Sequence, residues 1–160
     1  MLAQREGNRA REQAQFKLQG IVGLIDRLRH TEECGHVCDL PDELIADELE
    51  IKLQDVDDAA RDLYHDEDDT RQRIDELPLD IEVRSDWHHP GDQDPPREYL
   101  ILLCTGGPAV HITGDLDEYG EPETARIEYQ DWFTYWAQLP INREQENYLL
   151  DYARCFYFGE

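Results

Sequence analysis

The chain has no apolar run approaching the roughly 18–20 residues that a membrane-spanning helix needs. Its first residues lack the apolar stretch of a secretory signal, so no leader peptide is expected. Four cysteines in 160 residues are too few for a disulfide scaffold. Together these absences imply a cytoplasmic protein with reduced thiols. There is no internal repeat. Gly106-Gly107 is not followed by a GK[ST] helix start, so it is a turn and not a phosphate cradle. No nucleophile, base and orienting group recur in a recognisable catalytic pattern, and no catalytic residues are assigned.

Positive charge is also scarce. Fifteen basic residues oppose 38 acidic ones, for a net charge of −23. A surface of that sign repels the phosphate backbone, which excludes direct nucleic-acid binding. It suits cations, or the basic grooves of proteins that themselves bind nucleic acid. The imbalance is uneven. Residues 1–30 hold Arg5, Arg9, Arg11, Lys17, Arg27 and Arg29 against Glu6, Glu12 and Asp26, a net of +3 that leaves −26 for the rest.

What is present reads as an α+β chain: N-terminal helices, then a small three- to four-stranded antiparallel sheet, then a C-terminal helix. The length fits a single domain over 1–160, with a helical part at 1–77 and a sheet-plus-helix part at 78–160. Ala14, Leu18, Ile21, Ile25 and Leu28 recur at steps of three and four, which predicts a helix over 3–29 with one apolar stripe. Residues 30–41, HTEECGHVCDLP, read as a connector. A second helix is expected from Asp42 to about Tyr64, with Ile45, Leu49, Leu53, Val56, Ala60 and Leu63 on one stripe. A short helical or irregular piece follows, from Glu67 to Leu77. Leu79, Ile81 and Val83 alternate with polar residues and predict a strand. Three prolines and a glycine make 85–96 a loop. Strands are then expected at Tyr99–Cys104, Ala109–Ile112 and Ala125–Tyr129, the first two joined by a tight Gly-Gly hairpin. The aromatic stretch 131–140 (Trp132, Phe133, Tyr135, Trp136) reads as irregular. Asn142 and Gln145 have capping-box spacing for a last helix ending near Arg154.

Several constellations touch on metal or nucleophile chemistry. Cys34, His36 and Cys38 offer three zinc ligands, with His30 the nearest fourth in sequence, but no second Cys/His pair lies close by. The spacing reads as a loop with two ordinary thiols, and no metal or cofactor is expected. Gly114 to Gly120 begins like an EF-hand loop, yet position 12 is Arg126 where the bidentate glutamate belongs, so an acidic hairpin tip is expected. Cys104 and His111 face each other across the hairpin as packing residues, and His88 and His89 sit in a polar loop.

The strongest signal is acidic. Residues 42–76 contain fifteen carboxylates opposed by Lys52, Arg61, Arg71 and Arg73. Spread along a helical rod of at most roughly 50 Å, they match the charge spacing of a single DNA strand, about 3.4 Å per phosphate. Few have an i,i+4 partner, and the excess continues in the 115–123 loop. The residues expected to meet a basic partner are Asp47, Glu50, Asp55, Asp57, Asp58, Asp62, Asp66, Glu67, Asp68, Asp69, Asp115, Asp117, Glu118 and Glu121. Trp87, Trp132, Tyr135 and Trp136 are candidate anchors for specific contacts.

The segment LILLCTGGPAVHITGDLDEYGEPETARIEYQDW and the terminal YARCFYFGE resemble a recurrent family of small acidic proteins carried by bacteriophages and integrative mobile elements. The likeness covers roughly residues 79–160. It implies a mobile-element protein with no established enzyme activity, acting in the cytoplasm of a bacterial host. By analogy of class it extends to anti-CRISPR and anti-restriction proteins that imitate DNA. The expectation is a non-catalytic counter-defence inhibitor that docks its acidic faces on the nucleic-acid-binding surface of a host immune complex, without touching nucleic acid or membrane. The alternative is a structural or regulatory module that self-associates, as a homodimer, through its N-terminal helices.

Overall fold

All five apolar positions of the first stripe are buried, and they lie on one long helix, α1 (Leu2–Cys34). The computed structural model describes residues 2–34, 38–132 and 134–159. The helix outruns the expected 3–29 because His30-Thr31-Glu32-Glu33-Cys34 contains no breaker, so part of the expected connector is helical.

The expected second helix is not continuous. It divides into α2 (Asp42–Leu49), one turn of 3-10 helix at Leu53–Asp55, and α3 (Asp58–Tyr64), followed by α4 (Glu67–Glu76). Glu50 takes a left-handed conformation (φ 56°), and the N–H groups of Glu50 and Ile51 close α2 on the carbonyls of Asp47 and Ala46. This is a Schellman stop. The Asp57 carboxylate then accepts from the Ala60 N–H and starts α3 as its N-cap. Side-chain capping at Asp57 outcompetes a helix interior there. The stripe breaks with it: Ile45 is buried, but Leu53 and Leu63 are exposed. The acidic segment is therefore a bent chain of short helices, not a straight rod. Asp66 caps α4 in the same way as Asp57 caps α3.

Five strands follow: β1 (Asp80–Arg84), β2 (Glu98–Cys104), β3 (Ala109–Asp115), β4 (Arg126–Gln130) and β5 (Ala137–Gln138). They form one antiparallel sheet in the order β1-β2-β3-β4-β5, so each strand pairs with its sequence neighbour. The count exceeds three or four because β5 forms within the aromatic stretch expected to be irregular, where Tyr129 pairs with Ala137. Phe133 of that stretch lies outside the described residues.

The register places Ile101 opposite Ile112 and Ile112 opposite Ile127. These residues, with Tyr99, Leu103 and Val110, form the buried face. Helix α5 (Arg143–Ala153), opened by the Asn142–Gln145 capping box, packs with α1 over that face. Gly114 is required in β3: a Cβ there would lie 1.9 Å from the Thr124 carbonyl oxygen. Gly106 turns the β2–β3 hairpin at φ +95°. Among the described residues no helix is long and apolar enough to cross a membrane.

Candidate functional site

The fourteen acidic residues separate by what their side chains already hold. Asp57 and Asp66 cap helices. Glu67 pairs with Arg71 at 2.9 Å. Asp69 receives Arg27 (2.9 Å) and Arg73 (2.8 Å). Burial alone would raise its pKa, but hydrogen bonds from Arg73 and Arg27 hold it below the usual carboxylate range. Asp115 accepts from the Thr124 hydroxyl, and Asp117 accepts the N–H groups of Tyr119 and Glu121, which shapes the hairpin tip. The remaining eight are Asp47, Glu50, Asp55, Asp58, Asp62, Asp68, Glu118 and Glu121. All are exposed, and their carboxylates have no hydrogen bond or ion pair among the described residues. Six belong to the α2–α4 segment and two to the β3–β4 tip. Of the four bases in 42–76, Arg61, Arg71 and Arg73 are committed to Asp42, to Glu67 and Glu32, and to Asp69.

What holds this repelling segment to the fold is a charged side chain of α1 that is not part of its apolar stripe. Arg27 is fully buried. Its Nε donates to the Tyr64 carbonyl at 2.8 Å, and its Nη2 donates to the Leu63 carbonyl and to Asp69. One guanidinium thus satisfies the open C-terminal carbonyls of α3 and the first turn of α4. Glu48 lies nearby against Gly23, in a groove of about 1000 Å³ between α1, α2 and α4. Removal from water pushes its carboxyl up to about 7, although Arg27 and Arg73 oppose the rise.

One turn beyond Arg27, the thiols and histidines converge. His30, Cys34 and Cys38 each place a ligand-type atom within 4.8 Å of the others. His30 Nε2 is 3.0 Å from Cys38 Sγ. His65, the residue capping α3, brings Nε2 to 3.5 Å from the same sulfur, while its Nδ1 lies 2.7 Å from the Arg61 carbonyl. Desolvation raises the Cys38 thiol above its ordinary range, and the neighbouring Cys34 adds to the rise. Sequence spacing left this pattern one ligand short, because His65 is 27 residues from Cys38 and only the fold of α3 returns it. His36 lies outside the described residues.

The other constellations do not assemble. Cys104 pairs in register with Val110, and its thiol donates to the Pro108 carbonyl at 3.7 Å. His111 bonds Glu128 at 2.8 Å and stacks under Trp136 at 3.8 Å between ring centres, so the two are packing residues. Asp115, Asp117, Glu118 and Glu121 do not gather as a cation site among the described residues. Trp87, Trp132, Tyr135 and Trp136 are all exposed. No known protein family, curated protein or solved structure matches the chain.

Proposed function

We propose that this chain is a non-catalytic counter-defence protein of a bacteriophage or mobile element, acting in the host cytoplasm. It occupies the basic nucleic-acid-binding surface of a host immune complex, as anti-CRISPR and anti-restriction inhibitors do. The supporting observation is the set of eight exposed, unneutralised carboxylates on a folded scaffold whose nearby arginines are committed elsewhere. A solvated helix normally relieves such repulsion with i,i+4 partners. Here the repulsion is kept, and relief comes when a basic groove supplies the counter-charge. The bent α2–α4 segment presents the charges on a broken path, which suits a contoured groove better than a straight one. Trp87 and Tyr135, fully exposed, are available as anchors.

The test is an interaction assay against host nucleic-acid-binding complexes at low and moderate salt, with DNA as competitor. The expected result is binding that DNA displaces and that slows at least about tenfold with added salt. Binding that is absent, or unchanged when Asp47, Glu50, Asp55, Asp58, Asp62 and Asp68 are made neutral, refutes the proposal. In the alternative reading, self-association would use the outer faces of α1, since Ala14, Leu18, Ile21, Ile25 and Leu28 are buried against the chain's own sheet and α5.

A further inference from the structure

We propose that His30, Cys34, Cys38 and His65 form a structural zinc site of the Cys2His2 class. His30, Cys34 and Cys38 already place ligand atoms within 4.8 Å of one another, and His65 reaches Cys38 at 3.5 Å.

His30 and Cys34 are four residues apart on α1, so they share one face of a rigid helix. Cys38 lies four residues before α2, and His65 caps α3. In a zinc tetrahedron, Zn–S of about 2.3 Å and Zn–N of about 2.0–2.1 Å give a sulfur-to-nitrogen edge of about 3.5 Å. The Cys38–His65 edge is 3.5 Å and the His30–Cys38 edge is 3.0 Å, both within about half an ångström of that value. His65 stands outside the mutually close group of His30, Cys34 and Cys38, so ion binding draws its ring further in.

The second histidine is oriented as a ligand. A carbonyl only accepts, so the 2.7 Å contact of His65 Nδ1 with the Arg61 carbonyl requires Nδ1 to carry the proton. That fixes the tautomer with its Nε2 lone pair directed at Cys38. A zinc-ligating histidine is supported in this way, with its outer nitrogen donating to a backbone carbonyl. The lone pair also accepts a long 3.4 Å contact from the Cys38 N–H, which an ion would replace.

The region also needs such a tie. Ile45, Ala46 and Tyr64 are the buried residues of α2 and α3, and the 3-10 turn between them has none. A short, highly charged segment with so little apolar burial is the kind that a metal or disulfide secures. Two thiolates and two imidazoles in tetrahedral arrangement select zinc over hard cations. With four protein ligands no position remains for substrate, so the role is structural.

The test uses the full chain, expressed with zinc and kept reduced. Metal analysis should find about one zinc per chain, released when the thiols are blocked. Cobalt substitution should give the visible spectrum of a tetrahedral site with thiolate-to-metal charge transfer. Cys34→Ser, Cys38→Ser, His30→Ala and His65→Ala should each lose the metal, and His88→Ala, in the exposed 85–96 loop, should keep it. Two results overturn the proposal without relying on any variant to fold. One is wild-type protein that takes up no zinc after reduction. The other is a cobalt spectrum that is octahedral and lacks charge transfer. Zinc retained with unchanged affinity by His65→Ala overturns the four-ligand assignment. These readouts are independent of partner binding, so either reading can fail while the other stands.

Discussion

Two residues in the helical half carry more of the structure than their chemistry suggests. Arg27 is a buried cation whose partners are two α3 carbonyls and Asp69. Removing it leaves the two α3 carbonyls without their donor, a cavity in place of the side chain, and Asp69 with Arg73 as its remaining partner. Arg27→Ala should therefore cost about 2–4 kcal/mol in denaturant unfolding, and lysine should rescue little of it, because an ammonium cannot span the forked geometry. Glu48 acts in the opposite direction. Its folded pKa of about 7 lies above the unfolded carboxylate value of about 4.3. Its contribution to stability is fully present below the unfolded value and is lost as pH rises through about 7. Glu48→Gln should flatten that part of the stability–pH curve and raise stability at pH 8. The groove is partly open to water, so about 1 kcal/mol is expected. A variant with an unchanged slope between pH 5 and 8 would place the Glu48 carboxyl in solvent.

At the scale of elements, the break after α2 is testable by itself. Glu50 occupies a left-handed position where a helix stop favours glycine. Glu50→Gly should stabilise the fold by about 0.5–1 kcal/mol, measured by thermal melting, since relief of strain outweighs the added chain entropy. Gly114→Ala should do the reverse, by about 1–3 kcal/mol, because the Thr124 carbonyl stands in the way. These positions also mark where sequence reading succeeded and where it stopped. The α1 stripe, the capping box at Asn142 and the strands β2 to β4 were legible because each rests on local periodicity or a local cap. The single 42–64 helix was misread because Leu53 and Val56 keep helical spacing across a segment that Glu50 and Asp57 punctuate. The unpaired acids were visible as composition, but their sorting into caps, ion pairs and free carboxylates was not. Arg27 and His65 were missed for one reason. Each makes its decisive contacts with residues 27 or more positions away, and no pattern along the chain reports such a distance.

For the whole molecule, the net charge of −23 sets two opposing salt effects. Salt screens the self-repulsion of the folded chain, so raising sodium chloride from about 10 to about 500 mM should raise the melting temperature. The same screening should weaken binding to a basic partner. A melting temperature that falls with salt, in the absence of partner, would mean that the net attraction of the ion pairs outweighs the repulsion among the acids.

The placement of α1 has a consequence for how the chain is made. Its apolar stripe leaves the ribosome before β2, β3, β4 and α5, which cover it, and the contact of Arg29 with Asp151 spans 122 residues. The sheet assembles from neighbouring strands and can form as it emerges. The helix must wait, with Leu18, Ile21 and Ile25 uncovered until synthesis is nearly complete. Synthesis halted before α5 should therefore yield chains that recruit chaperones or aggregate, whereas replacing Leu18 and Ile25 with polar residues should keep such fragments soluble and prevent the full-length protein from folding.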